Sequence, residues 1–127
     1  MNFIKLDKAA EFKAAGRTGT LTIAPADMER VFGKATWAIH SREGGDGKVD
    51  REWQFRAEDG QVYRVYAYKA TSLYDSTYPA PTEFWSRETL AELSIARGED
   101  TQSFKEWVYA RVHNRHKVQP RQGDSPW

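Results

Sequence analysis

The sequence predicts an α+β domain: a small antiparallel sheet built around a central Asp-Gly β-hairpin, with N-terminal helices and a C-terminal helix packed on it. Two β-rich runs flank Asp59-Gly60, and apolar residues recur at helical spacing towards both ends of the chain. A chain of 127 residues buries roughly two-thirds of its unfolded surface, enough for one core. Residues 1–116 are therefore expected to form a single domain. Residues 117–127, polar and proline-marked, read as a flexible tail.

From the N-terminus, Phe3, Leu6, Ala10 and Ala14 fall about a turn apart ahead of Gly16, which predicts a short amphipathic helix over 3–15. Thr20 to Ile23 is β-prone. Pro25 then suits the first turn of a helix that carries Met28, Val31 and Phe32 and closes at Gly33. Trp37 and Ile39 alternate in a β-like manner. The glycine-rich run from Glu43 to Gly47 reads as a surface connection, because it lacks both the Lys-Ser/Thr ending of a phosphate loop and calcium-loop spacing.

The hairpin comprises Lys48 to Glu58 and Gln61 to Ala70 around a two-residue turn. With Glu58 opposite Gln61, one face would hold Ala57, Phe55, Trp53 and Arg51 against Val62, Arg64, Tyr66 and Tyr68. This face is expected to be the core, with Arg51 and Arg64 at its margins or paired. Arg56, Gln54, Glu52 and Asp50 would share the other face with Tyr63, Val65, Ala67 and Lys69. Thr71 to Pro81 reads as a loop. Glu83 to Arg87 and Glu92 to Arg97 read as two short strands, or as one strand and an irregular segment. The final helix starts at Asp100 or Thr101, and Ser103 and Glu106 have capping-box spacing. Phe104, Trp107, Val108, Arg111 and Val112 form its apolar stripe, which would point Arg111 inward.

Composition narrows the function classes. Lys plus Arg number 19 against 18 acidic residues, so bulk charge gives no reason to expect long nucleic acid as a partner. Cysteine is absent, which excludes disulfides, a thiolate zinc site and a Cys nucleophile, and favours the cytoplasm. Met1 to Gly16 offers no continuous apolar run for a signal peptide or membrane anchor. His113 and His116 lie three apart near a helix end, where interaction with the helix C-terminus is a better reading than metal ligation; His40 is remote from both. No nucleophile elbow, zinc-protease run, dinucleotide fingerprint or paired-carboxylate pattern occurs. The expectation is a binding protein with no catalytic residues, no metal and no cofactor.

Arg51, Arg64, Tyr68, Lys69, Phe84, Trp85, Arg97 and Arg111 fall near the second half of the sheet and the last helix. Guanidinium forks bind phosphate oxygens and aromatic faces stack on bases, so this set has the chemistry of a nucleotide pocket. The competing reading makes the aromatics core and the arginines solvated rim groups or partners of Glu83, Glu92 and Asp100.

The runs Val31-Phe32-Gly33-Lys34, Asp50-Arg51-Glu52-Trp53-Gln54-Phe55, Glu58-Asp59-Gly60-Gln61-Val62, Val65-Tyr66-Ala67-Tyr68-Lys69 and Ser94-Ile95-Ala96-Arg97-Gly98 precede a terminal helix. Over about residues 20–115 this pattern resembles the phage-encoded Thoeris anti-defence sponges. The resemblance implies a non-enzymatic protein, working in the cytoplasm of an infected bacterium, that sequesters a glycocyclic ADP-ribose type signal or cyclic oligonucleotides. It also implies a homo-oligomer, dimer or hexamer, with ligand held between protomers. By position Phe84 resembles the stacking aromatic, Ser94 the reader of the adenine edge, and Arg111 a phosphate-binding arginine. Arg51, Arg56 and Arg64 are equal candidates for a second. Ser94 stands where the family has Asn, and Ala96-Arg97 replaces a glycine pair; Trp85 and Arg97 would compensate with a second aromatic wall and another cation. The alternative reading is a phage inhibitor that binds a host defence protein directly. A small nucleotide hydrolase ranks third.

Overall fold

The structure, a computed structural model, describes residues 1–10, 16–39 and 47–118. Nine elements follow in order within these residues: β1 (Phe3–Lys5), β2 (Arg17–Ile23), α1 (Ala26–Phe32), β3 (Trp37–Ala38), β4 (Arg51–Ala57), β5 (Val62–Tyr66), α2 (Pro81–Trp85), β6 (Ala91–Ala96) and α3 (Thr101–Val118). The strands form one antiparallel sheet in the order β1-β4-β5-β6-β2, and β3 shares the outer edge of β4 with β1. This is the predicted α+β class with its small antiparallel sheet.

The two central strands are joined differently from expectation. The Ala57 amide donates to the Gln61 carbonyl at 2.8 Å and Arg56 pairs with Val62, so Glu58, Asp59 and Gly60 all lie in the turn. Gly60, at φ 89°, takes the left-handed position that a three-residue hairpin loop requires. A one-residue slip exchanges the faces of β5. Tyr63 and Val65 now join Phe55 and Trp53 in the core, while Arg64 and Tyr66 join Glu52 and Gln54 on the opposite face. The slip is favoured because it buries Tyr63 and Val65 and takes Arg64 out of the apolar layer, where a guanidinium is costly.

Three further expectations are corrected. Residues 3–5 form strand, not helix: β1 pairs with β4, and Phe3 inserts edge-on against Tyr63 and Phe104 at 5.4 and 5.1 Å between ring centroids. Sheet pairing overrides helical periodicity here; residues 11–15 of the predicted helix lie outside the described residues. Residues 83–85 belong to α2, not a strand, with Pro81 in its first turn. On α3, Phe104 and Val108 are buried as expected, but Arg111 is exposed and its guanidinium stacks 4.2 Å from the Trp107 ring centroid. Strand β6, helix α1 and helix α3 otherwise lie where the sequence put them. Residues 119–127 of the expected tail, His40, and residues 43–46 of the glycine-rich connection are outside the described residues, as is the side chain of His116.

Apolar side chains of all three helices pack on one face of the sheet: Met28 from α1, Phe84 and Trp85 from α2, and Phe104 and Val108 from α3 meet Leu21, Trp53, Phe55, Tyr63, Val65, Leu93 and Ile95. Phe104 stacks on Tyr63 at 4.8 Å and contacts Phe55 at 5.3 Å. Aromatic pairs of this kind add about 0.5–1.5 kcal/mol each beyond the area they bury. The opposite face is polar but buried at Glu52, Gln54, Tyr66 and Ser94, opens only at its clefts, and its residues fall in rows fixed by register.

Candidate functional site

Reading across β4, β5, β6 and β2, one row of the open face is Glu52, Tyr66, Ser94 and Thr20, and the next is Gln54, Arg64, Ala96 and Arg17. Side chains two apart on a strand share a face, so the two rows together make one polar surface. Within it lies a cleft of about 390 Å³ lined by Gly16, Arg17, Tyr66, Tyr68 and Ser94. That size falls in the range of small-molecule sites.

The floor of this surface is fixed by a buried ion pair. Glu52, 1% exposed, accepts two hydrogen bonds from Arg64 through one carboxylate oxygen, the Nε contact being 2.7 Å, while its other oxygen accepts from Gln54 Nε2 at 2.6 Å. Gln54 in turn accepts the Ala10 amide at 2.9 Å, which ties down the segment crossing this face. Charge-assisted, doubly bonded pairs of this type fix side-chain direction. Arg64 is thereby held with its guanidinium carbon 5.0 Å from the Tyr66 ring centroid. Burial raises the Tyr66 phenol above its ordinary pKa, with the Arg64 charge opposing that shift, so the ring stays neutral at physiological pH. Tyr68, 53% exposed, stands at the cleft mouth.

The residues singled out from sequence divide among separate places. Ser94 and Tyr68 line the cleft and Arg64 borders it through Tyr66. Arg51 and Trp85 instead lock onto Asp50, whose two oxygens accept from Arg51 Nε at 2.9 Å and Trp85 Nε1 at 3.1 Å. Phe84 is buried edge-on against Trp85 at 5.0 Å. It also lines, with Lys69 and Arg87, a shallow hollow of about 230 Å³. Lys69 holds a left-handed backbone at φ 55° and places its ammonium 5.1 and 5.2 Å from the Tyr68 and Tyr74 ring centroids; a hydrogen bond with Tyr74 raises its pKa. Arg97 lines a different cleft near the hairpin turn, with Arg56. Arg111 is on the outside of α3. Within one chain, Phe84, Ser94 and Arg111 are not brought together.

Sequence reasoning missed Arg17, Gly16, Tyr66 and Glu52. The signal was present: β4 alternates Glu52 and Gln54 with Trp53 and Phe55, and such alternation marks a sheet with one apolar and one polar face. Among the described residues no three His, Asp or Glu side chains gather as metal ligands would, and no helix is long and apolar enough to cross a membrane. The cleft can stack a planar group on the exposed Tyr68, attract negative charge through Arg17, and offer the Ser94 hydroxyl as donor or acceptor, while the Arg64 charge is taken up by Glu52. Neither a protein-family model nor a curated protein matches this chain.

Proposed function

We propose that the protein binds and sequesters a cyclic nucleotide signal of the glycocyclic ADP-ribose type, without degrading it, in the cleft bounded by Arg17, Tyr66, Tyr68 and Ser94. The convergence of two tyrosines, a hydroxyl and the Arg17 guanidinium on one cleft supports this reading. A base stacked on Tyr68 gains about 1–3 kcal/mol. Arg17 faces the phosphates, and the Arg64–Glu52 pair fixes the Tyr66 ring that forms part of the cleft wall. The resemblance of its sequence runs to the phage Thoeris anti-defence sponges supplies the choice of ligand. Sequestration asks only for affinity and copy number, since bound signal is withdrawn from its receptor by mass action.

Thermal unfolding of the purified protein with glycocyclic ADP-ribose, beside a panel of cyclic di- and trinucleotides, tests the proposal. Ligand at 100 times its dissociation constant adds about 2.7 kcal/mol to stability. The shift is expected to be lost in Tyr68→Ala and Ser94→Ala, and heating the complex should release intact ligand. No shift with any ligand would turn the reading towards direct binding of a host defence protein, and recovery of a hydrolysed product would make the protein an enzyme.

A further inference from the structure

Where the loop after β5 meets α2, a shallow hollow of about 230 Å³ is lined by Lys69, Ala70, Tyr78, Pro79, Phe84 and Arg87. We propose that it is a docking notch for an acidic segment of a partner protein, which seats one aromatic side chain in the hollow and lays carboxylates against Lys69 and Arg87. It is a different surface from the Arg17 cleft and needs no nucleotide.

Size and composition both favour a side chain of a larger molecule as the occupant. Sites that enclose a free small molecule usually exceed about 300 Å³, and this hollow is smaller. Its wall is apolar at Ala70, Tyr78, Pro79 and Phe84. Tyr78 is 41% exposed, and Tyr68, which neighbours Lys69, is also largely in water. Tyrosine and arginine are enriched in protein interfaces, where one buried aromatic anchor supplies much of the binding energy.

The charge of the surface selects the partner. Two cations and no carboxylate line the hollow. Lys69 rests its ammonium on the Tyr68 and Tyr74 rings, and the Arg87 guanidinium lies 5.4 Å from the Phe84 ring centroid. Among the described residues neither cation forms an ion pair, even though the exposed Glu83 is four residues before Arg87. Other acids nearby in the chain have partners of their own: Asp75 accepts from Thr77, and Glu88 from Arg30. Because a hydrogen bond with Tyr74 raises the Lys69 pKa, the ammonium stays charged at neutral pH. Cations held on aromatic faces keep their charge available to carboxylates from outside.

The backbone supplies a separate observation. Lys69 adopts φ 55°, a left-handed conformation that disfavours any side chain, and its amide is fixed by the Lys48 carbonyl at 2.6 Å. A strained residue that brings a cation to the rim of an apolar hollow fits a binding role. The loop beside it is closed on itself: the Ser72 amide donates to the Pro79 carbonyl at 2.8 Å, and the Tyr78 amide to the Asp75 carbonyl at 2.9 Å. On the other side the Arg87 carbonyl accepts the Ala26 amide at 3.1 Å. The notch is therefore ordered before a partner arrives, which lowers the cost of binding.

The test is a titration of the full chain with the peptide acetyl-Glu-Glu-Phe-Glu-Glu-amide, followed by amide NMR shifts at constant ionic strength. Saturable shifts are expected at Lys69, Ala70, Tyr78, Phe84 and Arg87. Replacing the peptide's Phe by Ala should weaken binding at least about tenfold, as loss of a buried aromatic anchor does. Lys69→Gln and Arg87→Gln, checked for parental circular dichroism, should each weaken it about three- to fivefold, the range of a partly exposed ion pair. Absence of saturable shifts would overturn the proposal, as would equal affinity for a peptide with Gln in place of every Glu. Shifts confined to Arg17, Tyr66 and Ser94 would move the binding to the other cleft, and benzoate binding as tightly as the peptide would make the hollow a small-molecule site.

Discussion

Two adjacent positions at the end of β6 show opposite residue-level constraints. Gly98 has a left-handed backbone and the Tyr63 ring against its Cα, so Gly98→Ala adds both a backbone penalty and a steric clash and should cost at least about 2 kcal/mol in denaturant unfolding. Arg97 shares the left-handed conformation, so Arg97→Gly, which relieves the backbone penalty, should cost less in denaturant unfolding than Gly98→Ala. A loss in Arg97→Gly as large as that in Gly98→Ala would mean that the Arg97 side chain holds the fold together. From sequence, Arg97 was visible as a candidate cation, but its strain was not, because a positive φ at a non-glycine residue leaves no mark in composition. Arg111 shows the reverse failure. Its helical spacing placed it on the apolar stripe, yet a long side chain can lie over Trp107 and keep its charge in water.

At the scale of elements, the helices were the easiest to read and the strand pairings the hardest. Helix α3 begins where Asp100 accepts the Ser103 amide at 3.0 Å. Hydrogen bonds from the Ser103 side chain and backbone hold the Asp100 carboxyl below its ordinary value of 3.8. A depressed carboxylate pKa stabilises the fold above the unfolded value, and that contribution is lost as pH falls below 3.8 and through the lower folded value. Urea unfolding followed by helical circular dichroism should therefore show a smaller acid loss in Asp100→Asn than in the parent over this window, since Asn caps a helix without titrating. Equal acid dependence would remove Asp100 as the titrating cap. The hairpin was legible as two strands around Asp59-Gly60, but not in register. A two-residue and a three-residue loop both accept this sequence, and only the burial of Tyr63 and Val65 against Phe55 and Trp53 decides between them. Strand β1 was hidden because its three residues are also the start of a helical pattern. Its strand character comes from the open edge of β4, which is a property of the assembled sheet.

For the whole molecule, the one-residue slip decides where function can reside. It sends Arg64 and Tyr66 to the face away from the helices, beside Ser94, Arg17 and the buried Glu52, and so creates a polar surface with two clefts on a rigid sheet. Of the candidates read from the sequence, Ser94, Tyr68 and Arg64 belong to that surface, while Trp85 and Arg51 serve the packing around Asp50 and Phe84 lies in the core. A pattern of residue types could identify the chemistry of a nucleotide pocket, but assignment of each residue to a pocket or to the core required the register. The most direct measurement is amide chemical-shift mapping of the isotopically labelled protein titrated with glycocyclic ADP-ribose. The account predicts saturable shifts at Arg17, Arg64, Tyr66, Tyr68 and Ser94, whereas an unperturbed open face, or shifts confined to α3 around Arg111, would contradict it.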